Sequence, residues 1–85
     1  MALYYFDIGR GTDFIQDDEG SDFATPEAAA QGAARSAAET GTGRLAKSDF
    51  SDVVIEVRDE RSQRLRTVTA SMRIDWQAPK PQPHS

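Results

Sequence analysis

The sequence predicts an α+β fold in which a four-stranded, mainly antiparallel sheet carries one α-helix on one face, in the order ββαββ. Two observations lead to this prediction. Two neighbouring segments near the C-terminus alternate apolar and polar residues, which is the period of a half-buried strand. An alanine-rich stretch with a clear helix start precedes them, after an aromatic-rich first segment. The 85 residues suffice for one domain, expected over 1–76, with a disordered proline-rich tail over 77–85.

The N-terminal segment predicts a β-hairpin. Residues 1–8 are rich in Leu, Tyr and Phe, and Gly9 and Gly11 follow at once. These glycines can supply the positive φ angles that a tight turn requires. Phe14 and Ile15 then start a short second strand, which the acidic stretch 17–20 ends.

The helix is predicted from its first three residues. Thr25, Pro26 and Glu27 place a hydroxyl at the N-cap, a proline at the first helical position and a carboxylate in the first turn. Alanines, which are the best helix formers, carry the segment onward. Gly41 and Gly43 are expected to end it.

The second hairpin is predicted from 52 to 74. Val53, Ile55 and Val57 alternate with polar neighbours, and the same period returns from Thr67 to Ile74 after a polar turn at 59–63. If the helix joins the two hairpins, the first and third predicted strands become neighbours. The expected strand order is therefore 2-1-3-4, all antiparallel.

A single helix covers one face of such a sheet, so the other face should meet water or a partner. The residues predicted to face the helix are Tyr4, Phe6, Ile8, Val53, Ile55, Val57, Val68, Ala70 and Met72. Those predicted for the open face are Leu3, Tyr5, Asp7, Val54, Glu56, Arg58, Leu65, Thr67, Thr69, Ser71 and Arg73.

The composition excludes several classes of site. Without cysteine, the chain has no disulfide, no thiolate nucleophile and no Cys-based metal centre. Its one histidine, His84, lies in the predicted tail, so the folded part lacks the commonest general base. We therefore expect no catalytic residues, no cofactor and no metal. The N-terminus lacks a signal-peptide pattern and no apolar run could span a bilayer, so a cytoplasmic protein without a membrane partner is expected.

An acidic cluster follows the first hairpin: Asp13, Asp17, Asp18, Glu19 and Asp22. Several carboxylates close together could hold Ca²⁺ or Mg²⁺. The spacing does not match an EF-hand loop, so a structural or solubilising acidic loop is the favoured interpretation. A divalent-ion site over 17–22 stays open as an alternative.

Four features together resemble an uncharacterised family of short bacterial proteins. They are Tyr-Tyr-Phe-Asp-Ile at 4–8, the Asp-Asp-Glu-Gly turn at 17–20, the alanine-rich helix, and Val-Ile-Glu-Val-Arg-Asp-Glu at 54–60. The family has an aromatic first strand, a D-E-x-G turn, one helix and a final β-hairpin. The resemblance covers roughly 3–72. It implies the fold and assigns no activity.

The leading functional hypothesis is a small non-catalytic protein-interaction module, with a homodimer as one form. Its partner would be another protein or a second copy, bound at the open face or at an edge strand. The alternative is a nucleic-acid accessory protein that uses the arginine-rich second hairpin, which the acidic pI near 4.8 disfavours. The candidate interaction residues are Tyr5, Val54, Arg58, Arg61, Arg64 and Arg73.

Overall fold

A computed structural model of the chain describes residues 1–75 and 77 and contains one helix and five strands in them. The elements are β1 (Ala2–Arg10), β2 (Asp13–Ile15), β3 (Ser21–Phe23), α1 (Pro26–Leu45), β4 (Phe50–Arg58) and β5 (Arg64–Arg73). The α+β class is confirmed, with one strand more than predicted. The predicted tail and its histidine lie outside the described residues, apart from Gln77.

The sheet is antiparallel throughout, with the order β2-β1-β4-β5. This confirms the predicted order of the two hairpins. The additional strand, β3, pairs with the first half of β1 at residues 2–4, whereas β2 pairs with its last three residues, 8–10. Both strands run antiparallel to β1, and their pairing registers with β1 differ by two residues. β2 and β3 therefore form one edge strand that is interrupted over 16–20.

Helix α1 begins where the sequence predicts. The Thr25 hydroxyl accepts a hydrogen bond of 3.0 Å from the Ala28 N–H, and Pro26 occupies the first turn. The prediction that Gly41 and Gly43 end the helix is wrong, because α1 continues through both to Leu45. Neither glycine takes the positive φ that a glycine stop uses, so both simply remain helical.

The helix lies on β4 and β5 through a stripe of small residues. Ala29, Ala33, Ala37 and Gly41 recur every fourth residue and are buried, so the helix backbone approaches the sheet closely. A Cβ on Gly41 would stand 3.2 Å from the Met72 methyl carbon. The sheet contributes the larger buried side chains of the core: Tyr4, Val53, Ile55 and Val57. Helix and sheet are therefore joined by close approach of small residues rather than by bulky helix side chains.

Gly32 permits a second close approach, to β3. A Cβ at Gly32 would lie 2.9 Å from two carbons of the Phe23 ring. That ring stacks on Phe6 at 5.6 Å and tilts against Tyr4 at 6.2 Å between centroids. Phe23 therefore fills the space between the helix and the β1 side of the sheet.

The turn of the second hairpin is closed by Asp59. Its carboxylate accepts hydrogen bonds of 2.9 Å from the N–H groups of Arg61 and Gln63. The strand pairing then shifts register between Val57 and Arg58, which is a β-bulge. The bulge turns Leu65 toward the core instead of the open face, where strict alternation places it.

Two of the three helix glycines, Gly32 and Gly43, should respond in opposite ways to substitution by alanine. Gly32→Ala should lower the free energy of unfolding, because overpacking costs about 1–3 kcal/mol and outweighs a gain in helix propensity of about 1 kcal/mol. Gly43→Ala should raise it by about 1 kcal/mol, since a Cβ there meets nothing within 4 Å. Urea denaturation followed by circular dichroism measures both. Equal effects of the two substitutions would contradict this packing.

Candidate functional site

The face of the sheet opposite the helix carries all the predicted interaction residues except Arg61. Tyr5 pairs with Arg58 across β1 and β4, and Gly9 pairs with Val54, which in turn pairs with Thr69 on β5. Residues directly opposite in an antiparallel sheet point to the same side. We call this surface, which the helix does not cover, the open face. Its core-facing counterparts on β4, from Ser51 to Val57, are buried under the helix.

Arg58 and Asp7 form a bidentate ion pair on the open face. Arg58 Nε donates to Asp7 Oδ2 at 2.6 Å, and its Nη2 donates to Asp7 Oδ1 at 3.1 Å. The side chains are only 13% and 7% exposed. The Arg58 guanidinium carbon also lies 5.0 Å from the centroid of the Tyr5 ring, a cation–π distance. Arg58 is therefore held by both Asp7 and Tyr5 of its own domain.

Asp17 bridges the interruption between β2 and β3. Its Oδ2 accepts a hydrogen bond of 3.0 Å from the Phe6 N–H on β1, and its Oδ1 accepts from Glu19 and Gly20. The Asp17 N–H in turn donates to Asp7 Oδ1 at 3.0 Å. One carboxylate thus satisfies a backbone donor of β1 where no strand residue pairs with it.

Gly20 is required where this turn meets β1. Its φ is +74°, and a Cβ there would lie 3.0 Å from a Tyr5 ring carbon and 3.2 Å from the Tyr4 carbonyl oxygen. The turn therefore packs directly on the Tyr5 ring. Arg58 Nη2 completes the arrangement by donating to the Asp17 carbonyl oxygen at 3.1 Å.

These contacts hold both aspartates in the charged form. Hydrogen bonds from Arg58 are the main cause that lowers the pKa of Asp7, against an opposing effect of burial. For Asp17, burial is the largest single influence and favours the neutral acid. The N–H groups of Phe6, Gly20 and Glu19 together outweigh burial and lower the pKa of Asp17.

The remaining predicted arginines differ in their surroundings. Arg64 pairs with Glu56 at 2.8 Å on the open face, and Arg73 pairs with Asp75 at 3.1 Å. Arg61 is exposed in the turn and has no ion pair among the described residues. Arg64 lies directly opposite Arg58 in the strand pairing, whereas Arg73 lies at the other end of β5, so the four arginines do not form one basic patch.

Two exposed rings on the open face were not among the predicted site residues. Phe14 pairs with Gly9 and is 65% exposed, and Phe50 pairs with Arg73 and is 64% exposed. Val54 is half-buried; it lies two strands across from Phe14 and four residues along β4 from Phe50. The sequence does contain a signal for Phe14. The two-residue turn at 11–12 sets a pairing of β1 with β2 in which Phe14 lies opposite Gly9, and Gly9 lies opposite Val54, so Phe14 and Val54 are on the same face.

The acidic cluster does not converge on one point. Both carboxylate oxygens of Asp17 are occupied by backbone N–H groups, and Asp18, Glu19 and Asp22 are exposed. Within residues 1–75 and 77, no three His, Cys, Asp or Glu side chains are placed to hold a metal ion. The described part of the chain also has no helix with the length and apolarity that crossing a membrane requires.

Comparison with known proteins gives a family. The family model described as "Domain of unknown function (DUF6894)" matches residues 3–71. The chain belongs to this family. No curated protein and no solved structure matches the chain. The match confirms the expectation of an uncharacterised family and includes every member of the Asp7–Asp17–Arg58 network.

In this DUF6894 domain, removal of Arg58 should be far more costly than removal of another arginine on the same face. Arg58→Ala leaves the Asp7 carboxylate buried without its partner, which should lower the free energy of unfolding by on the order of 3 kcal/mol. Arg64→Ala removes a pair whose arginine is 73% exposed and should cost less than about 1 kcal/mol. Urea denaturation compares the two, and similar costs would contradict a structural role for Arg58.

Stability of the DUF6894 domain should fall in acid because both aspartates have lowered pKa values. The stabilisation is complete above the ordinary Asp pKa of 3.8 and is lost as the pH falls through the lower folded-state values. Urea denaturation between pH 7 and pH 2 measures this. Asp17→Asn should lower stability at pH 7 and flatten the acid loss. Asp18→Asn makes the same charge change at an exposed neighbour, and an equal flattening by it would exclude the Asp17 assignment.

Proposed function

We propose that this domain is a small, non-catalytic protein-interaction module that pairs with a second copy of itself through the open face. The observation that supports it most strongly is the combination of Phe14 and Phe50, each about two-thirds exposed, on a face that no other element of the described chain covers. Exposed apolar area of this kind on a small protein marks contact sites. We extend the proposal to a cytoplasmic bacterial protein, on the lack of cysteine and the family resemblance.

The charges of the open face favour a second copy as the partner. In a two-fold contact the same surface occurs on both sides, so a face with one dominant charge would repel itself. Here Arg58, Arg64 and Arg73 each pair with an acid of the same chain. Two such faces can approach each other without opposing like charges, and the exposed rings can then be buried.

The size of the open face fits a modest interface. Three strands, β1, β4 and β5, are spaced by about 4.8 Å and are about 30 Å long, and with the short edge of β2 and β3 they give a projected area on the order of 500 Å². A standard interface buries about 800 Å² on each partner. Face-to-face pairing would therefore use nearly the whole open face and give an association at the weaker end of specific complexes.

The roles of the predicted residues follow from their positions. Val54 would lie within the contact, on the same strand as Phe50 and two strands across from Phe14. Tyr5 and Arg58 would support the face from within, because their exposed surface is already reduced by Gly20, Asp7 and each other.

Phe14 and Ile15 provide a matched test of this proposal. They are neighbours on β2, both are exposed, and they point to opposite faces, because Ile15 pairs with Ile8 on the helix side. Sedimentation equilibrium of the wild-type chain should give a concentration-dependent mass that approaches twice 9.3 kDa. Phe14→Ser combined with Phe50→Ser should give the monomer mass, and Ile15→Ser should associate like wild type.

Two outcomes would exclude self-pairing through the open face. One is a wild-type chain that stays monomeric up to several hundred micromolar. The other is an equal loss of association in the Ile15→Ser control. Circular dichroism of each variant would establish that it is folded before its mass is compared.

The nucleic-acid alternative has less support. Of the five arginines on the second hairpin, only Arg61 lacks an acidic partner among the described residues. Phosphate binding would have to break the pairs of Arg64 and Arg73 first. Fluorescence anisotropy with a labelled single-stranded RNA or DNA, repeated at two salt concentrations, would reveal such binding, which must weaken steeply with salt.

A further inference from the structure

A second surface feature lies away from the open face, where the C-terminal end of α1 meets the turn between β1 and β2. Arg10, Arg44 and Lys47 line one cleft of about 430 Å³. The other residues that line it are Asp13, Glu39, Thr40 and Gly43. Cations thus outnumber carboxylates by three to two in a chain whose overall charge is −4.

The two arginines of this cleft are incompletely bonded. The Nε atoms of Arg10 and Arg44 are buried, and neither has a hydrogen-bond partner among the described residues. None of the three cations has an ion pair with a described residue, although Asp13 and Glu39 line the same cleft. The Nε of Arg58, by contrast, is paired with a carboxylate at 2.6 Å. A buried donor without an acceptor costs about 1–3 kcal/mol, so these guanidinium groups are arranged at the expense of stability.

Helix electrostatics explain only part of the arrangement. Cations near the end of a helix are favoured by its dipole, which accounts for Arg44 and Lys47. That effect does not account for Arg10, which belongs to β1. It also does not account for two buried Nε donors that point to no protein acceptor.

Two glycines shape the cleft. Gly11 has a φ of +60°, and a Cβ on it would lie 3.4 Å from Arg44 Nη2, so the guanidinium rests against this turn. Gly43 lies in the helix, lines the cleft and has open space where its Cβ would stand. No packing contact therefore requires glycine there, and its absence of a side chain keeps the cleft accessible.

We infer that this cleft binds the phosphate group of a small hydroxylated phosphomonoester. Arg10 and Arg44 would donate to the phosphate oxygens through their guanidinium groups, and Lys47 would add a third positive charge. Asp13 and Glu39 would repel a bare anion but can accept hydrogen bonds from hydroxyl groups on the same molecule. This site shares no residue with the open face, so the inference is independent of the proposed self-pairing.

Calorimetric titration of the full chain tests the inference with three probes: glucose 6-phosphate, inorganic phosphate and glucose. Glucose 6-phosphate should bind saturably, inorganic phosphate more weakly, and glucose not at all. Arg10→Gln and Arg44→Gln should each weaken binding at least tenfold. Arg35→Gln is the matched control, because Arg35 is an exposed arginine on the same helix without an ion pair in the described chain.

A further variant separates binding from folding. Gly43→Leu projects a side chain into the open space of the cleft and should abolish binding while the helix remains intact by circular dichroism. The inference is overturned if no phosphate probe binds the wild type at millimolar concentration. It is also overturned if Arg35→Gln weakens binding as much as Arg44→Gln, or if folded Gly43→Leu binds like wild type.

Discussion

The ion pair between Arg58 and Asp7 ties the paired strands β1 and β4 to the loop between β2 and β3. Asp7 belongs to the first strand, Arg58 ends the fourth, and both reach Asp17 in the loop between β2 and β3. The pair is nearly buried, so each charge depends on the other. The pair thus adds a polar connection to an edge whose two strands have only three residues each.

This network also determines what the open face can do. An arginine that is bonded by Asp7, by the Asp17 carbonyl oxygen and by the Tyr5 ring has few donors left for a ligand. The same contacts compensate the positive charge of Arg58, which would otherwise repel the same charge on the open face of a second copy. The features that make Arg58 a poor phosphate ligand therefore make the face a better protein contact, and the exposed rings of Phe14 and Phe50 supply its apolar area.

The sequence predicts this fold well wherever a local signal is strong. Alternation over β4 and the Thr25–Pro26 helix start gave the correct faces and the correct first helical residue. Strand β3 was not predicted because Phe23 is its one apolar residue. The position of β3 depends on the hydrogen bond between Asp17 and Phe6, which are 11 residues apart in the sequence. The helix end was misplaced because Gly41 serves packing against Met72, which the helix sequence does not reveal. The partner of Arg58 is 51 residues away and is equally hidden.

Small residues on the helix limit how much stability the core can provide. Three alanines and a glycine bury little apolar area, and the largest fully buried side chain is Ile55. A domain with so small a core depends more than most on its polar contacts, and two of its arginines are held with buried donors unpaired. Binding at either surface would add stability to the folded state by mass action. Self-pairing at the open face and anion binding at the cleft would thus act on the same folding equilibrium, although they share no residue.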